Sequence, residues 1–215
     1  MDHFTQRVVL VGRVMPDTVT LLGTGFFVGT DGLLVTSRHV VGNDTNGIVI
    51  IEPHINSFNA YQDVSDRSCM SITATVVDVN PIADIVLIKV DAEVQGVLEL
   101  GSLDEVNVGE TLDIVGFPHC VDGRRVLTYQ SATVGAKVLL ESSSVKIKHA
   151  VINSQTRPGQ SGSMVFSKRL NKVVGILSGT YIPQGGGSVM MMGINPAELN
   201  QTSHILSAEY IREMI

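Results

Sequence analysis

Short β-branched apolar runs, closely spaced and bounded by turn residues, limit what this chain can fold into more than any other feature. Arg7-Val8-Val9-Leu10-Val11, Gly25-Phe26-Phe27-Val28, Leu33-Leu34-Val35-Thr36, Ile48-Val49-Ile50-Ile51, Ala74-Thr75-Val76-Val77 and Ile85-Val86-Leu87-Ile88-Lys89-Val90 form a first series. After a turn-rich stretch, a second series occupies residues 111–116, 131–134, 145–147, 150–152, 164–166, 173–177 and 189–192. Runs this short and this rich in Val and Ile fit pleated, buried strands rather than helices. About a dozen of them with turn signals between read as an all-β sandwich or barrel. The break at Gly101-Ser102-Leu103-Asp104-Glu105 predicts two comparable halves, residues 1–102 and 103–215.

Helical signal is confined to the end. Asn195 is a suitable cap, Pro196 suits a first helical turn, and residues 197–215 contain good helix formers. The expectation is a terminal helix that packs Leu206, Tyr210, Ile211 and Met214 onto the body.

With 215 residues, 44% of them hydrophobic, the chain is long enough to bury a real core. The net charge of −6, from 15 Lys+Arg against 21 Asp+Glu, comes with no basic block, so nucleic acid and anionic membrane surfaces are not expected partners. No run of 18 apolar residues exists, and no membrane span is expected. Residues 1–7 lack the basic patch and apolar run of a leader, and Cys69 and Cys120 could pair at most once. Both features read as a cytoplasmic protein. His119-Cys120 has no second ligand pair at suitable spacing, so no metal is expected. Gln184-Gly185-Gly186-Gly187-Ser188 lacks the Lys and following helix of a phosphate loop, and no cofactor is expected. Arg124-Arg125 reads as a solvated turn.

The sharpest local feature is Arg157-Pro158-Gly159-Gln160-Ser161-Gly162-Ser163, between two strands. A nucleophilic serine needs a tight turn of small residues, with its hydroxyl exposed and backbone N–H groups converging on the developing oxyanion. By itself such a turn is ordinary. A serine hydroxyl also needs a base, and the base an orienting acid. Of six histidines, His39 stands out, because Thr36-Ser37-Arg38-His39-Val40-Val41 ends an apolar strand. Among the acids, Asp84 stands at the mouth of the buried run Ile85-Val86-Leu87-Ile88, where ionisation needs a hydrogen-bond partner; Asp91 and Asp78 are the fallbacks.

Gly23-Thr24-Gly25-Phe26-Phe27-Val28, Thr36-Ser37-Arg38-His39-Val40-Val41, Ala83-Asp84-Ile85-Val86-Leu87, Gly116-Phe117-Pro118 and Gly159-Gln160-Ser161-Gly162 together resemble the trypsin/chymotrypsin superfamily of serine proteases. Within it, the HtrA/Deg protease core is the nearest in flavour, without a PDZ-like segment. Val173-Val174-Gly175-Ile176-Leu177-Ser178 resembles the strand lining the substrate cleft. The resemblance implies two six-stranded β-barrels, a C-terminal helix, and an active site in the crevice between the barrels. It implies that His39 takes and returns the Ser161 proton, that Asp84 orients His39, and that the N–H groups of Gly159 and Ser161 form an oxyanion hole. Ser178, Gly179 and Thr180 would line one wall of the specificity pocket, with Met190 or Met192 on the other and Gln155 at its base.

Departures from the pattern matter. Gln160 stands where secreted trypsins carry an Asp locked by an activated N-terminal amine, so the oxyanion loop must be ordered another way. Val40 follows the histidine where those enzymes have a disulfide-bonded Cys, and Ser163 replaces a usual Gly. Because Gln155 is not acidic, cleavage after Lys or Arg is not favoured, and a small or medium apolar residue is expected before the cut. An α/β-hydrolase is rejected: Ser163 breaks its Gly-x-Ser-x-Gly elbow, and after Ser161 only Glu198 followed by His204 gives an acid and then a histidine, six residues apart in the tail. The expected function is hydrolysis of protein or peptide substrates through an acyl-enzyme. The alternative is a catalytically silent or partner-activated module that docks peptides by strand addition beside Leu177-Ser178-Gly179.

Overall fold

The computed structural model describes residues 2–66, 68–96, 98–181 and 202–215. Six strands form the first closed barrel: β1 (Val8–Val14), β2 (Val19–Phe27), β3 (Leu33–Ser37), β4 (Ile48–Ile51), β5 (Ser71–Asn80) and β6 (Ile85–Val90), in the order β1-β2-β3-β6-β5-β4. Six more form the second: β7 (Thr111–Gly116), β8 (Thr128–Ser142), β9 (Val145–Ile152), β10 (Met164–Ser167), β11 (Lys172–Tyr181) and β12 (Thr202–Ser207), in the order β10-β11-β12-β9-β8-β7. Every strand pair within a barrel is antiparallel. The molecule is thus a nearly all-β protein of the chymotrypsin-like architecture.

The continuous apolar runs of the sequence have a geometric cause. Successive side chains on a strand point to opposite faces, and in β1, β4, β6 and β10 both faces are buried. Val9, Val11, Ile48, Ile50, Val86 and Ile88 fill the first barrel. Leu112, Ile114, Ala150, Ile152, Val174 and Ile205 fill the second. The alternate residues Val8, Leu10, Phe26, Ile85 and Leu87 join Val115, Phe117, Met164, Ile176 and Leu206 in a third cluster to which both barrels contribute. Barrels packed through their outer walls leave strand ends and turns meeting along one seam.

The tail departs from expectation. Residues 202–207 pair with β11 and β9 as a strand, and the terminal helix is a single turn, Glu209–Arg212. Closing the second barrel overrides the helix propensity of this stretch. Leu206 and Ile211 are buried, with Tyr210 and Met214 packed partly against them. Arg125 is not a solvated turn residue either. Its guanidinium donates to the carbonyls of Ser68 and Asp66, while the Gln62 side-chain amide exchanges two hydrogen bonds of 2.8 Å with the Leu127 backbone. A loop of the first barrel is thereby tied to the 118–127 loop of the second.

Candidate active site

His39 and Asp84 are brought together by strand register. β3 pairs with β6 so that Ser37 lies opposite Ile85, and continuing the register sets the residue after β3 beside the residue before β6. Asp84 holds this place in a left-handed conformation (φ 57°), uncommon for a residue with a side chain. Its carbonyl accepts the Arg38 N–H at 2.9 Å, and its Oδ1 accepts the His39 N–H at 3.0 Å. Ser37, at the capping position of the one-turn helix Arg38–Val41, makes no side-chain cap. The Asp84 carboxylate therefore satisfies an orphan donor at this helix start from a neighbouring segment. Its other oxygen, Oδ2, stands 2.5 Å from His39 Nδ1. One carboxylate fixes both the backbone and the ring of His39, and Nε2 has no hydrogen bond among the described residues. The His39 side chain is half exposed, which open access to a substrate requires.

Ser161 reaches the same seam from the turn between β9 and β10. The turn is anchored to β11, where the Gly162 N–H donates to the Leu177 carbonyl at 2.8 Å and the Leu177 N–H to the Ser163 carbonyl at 2.9 Å. Ser37 Oγ, two residues before His39, donates to the same Leu177 carbonyl at 3.5 Å. On the other side, the Thr24 N–H donates to the Ser161 carbonyl at 3.0 Å. Close approach here needs glycine: a Cβ on Gly23 would lie 2.8 Å from Val40 Cγ2 and 3.1 Å from the Ser161 carbonyl. The histidine's neighbour and the serine's own backbone thus flank a single glycine. A hydrogen bond between Ser161 Oγ and His39 is absent; such bonds are often long before substrate binds.

Thr24 is a hub that sequence reasoning missed. Fully buried, its Oγ1 donates to the Gly159 carbonyl at 2.9 Å and accepts the Phe117 N–H at 3.0 Å, while its carbonyl accepts from Thr36 Oγ1 at 2.6 Å. The signal was present in Gly23-Thr24-Gly25, but nothing in that motif says which backbone groups the hydroxyl meets. His119 was missed as well. It sits in the left-handed region (φ 61°), and its N–H donates to the Pro158 carbonyl at 2.6 Å. Cys120 is buried beside the same turn, Sγ 3.6 Å from the Gly159 carbonyl, and burial pushes its thiol up to about 12.

The specificity residues are less closely assembled. Gln155 is exposed ahead of the turn that bears Ser161, and its Oε1 accepts from Arg157 Nη1 at 3.2 Å. Ser178 is half-buried and donates to the His204 carbonyl at 3.3 Å; Gly179 follows with φ 144°. Met190 and Met192 lie outside the described residues. Among the described residues, no three His, Cys, Asp or Glu side chains stand close enough to hold a metal ion.

Comparison with known proteins identifies the family and the fold. The model of the trypsin-like peptidase domain family covers residues 23–176. A protein of Ectopseudomonas mendocina (strain ymp) named "Probable periplasmic serine endoprotease DegP-like" is 28% identical over 188 residues, 87% of this chain and 35% of its own length. A protein of the same name from Pseudomonas fulva (strain 12-X) is 31% identical over 169 residues, 77% of this chain and 30% of its own. The chain spans about a third of the length of these relatives. Among solved structures, the apo MamO protease domain from Magnetospirillum magneticum superposes with a TM-score of 0.70 at 16% identity, covering 98% of this chain and 96% of that one. The active form of the Rv3671c protease from M. tuberculosis gives 0.69 at 20% identity, covering 97% and 79%. The HtrA-type protease AlgW with a decapeptide gives 0.69 at 15%, covering 98% and 63%. At these identities the likeness is one of fold. The expectation of a cytoplasmic protein is overturned by the relatives, which are named periplasmic enzymes. The cysteines misled because they carry no compartment signature: Cys120 is sealed in the core and Cys69 is exposed, both unpaired.

Proposed function

We propose that this chain, which belongs to the trypsin-like peptidase family, is a serine endopeptidase using Ser161 as nucleophile, His39 as general base and acid, and Asp84 as the orienting carboxylate. The observation that carries the reading is the doubly bonded Asp84: 2.5 Å to His39 Nδ1 and 3.0 Å to the His39 N–H, beside the turn that bears Ser161. With Nδ1 committed to Asp84, Nε2 is the nitrogen free to accept the Ser161 proton. Oγ attacks the peptide carbonyl carbon, and the carbonyl oxygen takes up negative charge against the N–H groups of Gly159 and Ser161. The imidazolium, stabilised by Asp84, then protonates the leaving amine as the C–N bond breaks. Water, deprotonated by His39, hydrolyses the acyl ester and restores Ser161.

A peptide lying beside Leu177-Ser178-Gly179 would present its carbonyl to Ser161, and the similar AlgW structure holding a decapeptide supports a peptide occupant. With an uncharged Gln155 near the pocket, a small or medium apolar residue before the cut is the proposed preference. Relatives named periplasmic support the same compartment for this chain. A fluorophosphonate probe tests the core of the proposal. Labelling at Ser161 that disappears in His39→Ala supports it; a folded protein that resists labelling refutes it. A second reading, a catalytically silent or partner-activated peptide-binding module, predicts peptide binding with no labelling of the protein alone.

A further inference from the structure

Two peptide groups must hold a fixed orientation for the proposed chemistry, and both are pinned by their carbonyls. The Pro158–Gly159 peptide offers its carbonyl to the His119 N–H at 2.6 Å, and the Gln160–Ser161 peptide offers its carbonyl to the Ser163 N–H at 3.0 Å. Neither peptide is cis. In a trans peptide the N–H points opposite to the carbonyl. The Gly159 and Ser161 N–H groups therefore face away from His119 and Ser163, and among the described residues neither donates to any acceptor. Unspent donors in a buried turn are costly; a developing oxyanion would satisfy them.

The turn between these peptides is closed by Gln160. Its side chain is 1% exposed. Oε1 accepts the Arg157 N–H at 2.7 Å, and the Gln160 N–H donates to the Arg157 carbonyl at 3.0 Å. These two bonds bracket Pro158 and Gly159. Nε2 donates to Gln130 Oε1 at 3.4 Å, which ties the ring to β8. We propose that Gln160 is a positioning residue: its buried amide closes the 157–160 ring and so holds the Gly159 and Ser161 N–H groups toward the cleft, with no charged partner and no second protein. This rests on the reading of Ser161 as nucleophile. The amide does locally what an ion pair with a chain terminus does in secreted trypsins.

The test compares Gln160→Leu and Gln160→Met, which keep the volume and lose the acceptor, with Gln160→Glu, which keeps an oxygen for the Arg157 N–H. Glu is tolerable because Gln130 Nε2 is buried without a partner and can turn to donate to it. Peptide hydrolysis, affinity for a peptidyl boronate and melting temperature are measured on each. We expect the apolar variants to lose kcat on the order of 10²-fold, the scale of a misplaced reacting group, with KM little changed. Boronate affinity should fall by the same factor as kcat/KM, and Gln160→Glu should recover most of both. Folded apolar variants with kcat near wild type would overturn the positioning role alone, leaving the protease reading intact. So would apolar variants that fail to fold while Gln160→Glu folds but is equally inactive. A wild-type protein that neither cleaves nor labels at Ser161 would sink both.

Discussion

Replacing Thr24 by Val is the sharpest test of how the two barrels share one site. The substitution keeps the side chain's shape and removes only the hydroxyl. That hydroxyl is fully buried and makes two bonds to the second barrel, from Oγ1 to the Gly159 carbonyl at 2.9 Å and from the Phe117 N–H to Oγ1 at 3.0 Å. The Phe117 N–H is then orphaned in an apolar cluster, at about 1–3 kcal/mol. The Gly159 carbonyl keeps the weak Cys120 thiol at 3.6 Å and loses less, about 0.5–1 kcal/mol. Burying a methyl in place of a hydroxyl offsets a fraction of this, on the scale of about 0.8 kcal/mol per methylene. A net loss of about 1–3 kcal/mol lowers the melting temperature of a chain this size by about 2–12 °C. Loosening the Gly159 peptide also costs about 10- to 100-fold in kcat, since small displacements of reacting groups carry that scale of penalty. Thermal denaturation and steady-state hydrolysis read both effects, with Thr24→Ser as the control that keeps the hydroxyl. A Thr24→Val protein that melts within about 2 °C of wild type with unchanged kcat would refute the argument that this hydroxyl joins the barrels at the nucleophile turn.

Asp84→Asn should lower kcat about 10³- to 10⁴-fold with the fold retained, because an amide can hold the ring in the wrong tautomer; the pH profile of hydrolysis, compared with wild type, checks it. Gly162→Ala should be far more destabilising than Gly42→Ala, since its Cβ would lie 1.9 Å from the Thr24 carbonyl while Gly42 has open space around it. Urea melts should give about 1–3 kcal/mol for Gly42→Ala from backbone strain alone, and a larger loss for Gly162→Ala. A thiol reagent should titrate one cysteine in the native protein, the exposed Cys69, and reach Cys120 only on unfolding, because burial holds that thiol near 12. Burial also holds His149 and His204 below the ordinary histidine value of 6.5. The unfolded chain then binds more protons than the native one near that pH, so stability is full above 6.5 and falls as the pH drops through it toward the lowered native values. Melting curves between about pH 7.5 and 5 should show this decline, and His149→Gln should flatten it.

Much of the fold was legible because strands such as β1, β4, β6 and β10 are buried on both faces. Val8-Val9-Leu10-Val11 and Ile48-Val49-Ile50-Ile51 leave no other way to hide eight consecutive apolar side chains in two short runs. β12 was hidden for the opposite reason. Ser203 and Ser207 occupy fully buried positions on it, which breaks the apolar pattern of a strand. Both serines are satisfied at long range: Ser203 Oγ accepts the Thr156 N–H, and Ser207 Oγ the Leu103 N–H, each at 3.0 Å. Sequence patterns report burial, and they misread a polar residue whose partner lies many residues away. The pairing of His39 with Asp84 was legible because the two meet through side-chain groups. The contribution of His119 was not, since it acts through a backbone N–H that any residue but proline supplies.

The distribution of buried polar groups explains why the site stands where it does. Thr24, Thr36, Ser37, Gln160 and Ser163 are all at most 1% exposed, and all lie in or against the turn that bears Ser161. A turn cannot pass its carbonyls and N–H groups to a ladder, so its backbone must find partners elsewhere or stay wet. Short hydroxyls from the first barrel meet that need at Gly159 and at the Leu177 carbonyl that anchors the turn. Those bonds can form only where the outer walls of two barrels approach to hydrogen-bond distance. The same seam is lined by an apolar cluster shared by both barrels, which keeps the approach rigid. A turn like this placed on either barrel alone would have to satisfy its backbone with water. Across the seam the Thr24 hydroxyl instead takes the Gly159 carbonyl, in the peptide that lies between the two whose N–H groups are left unspent.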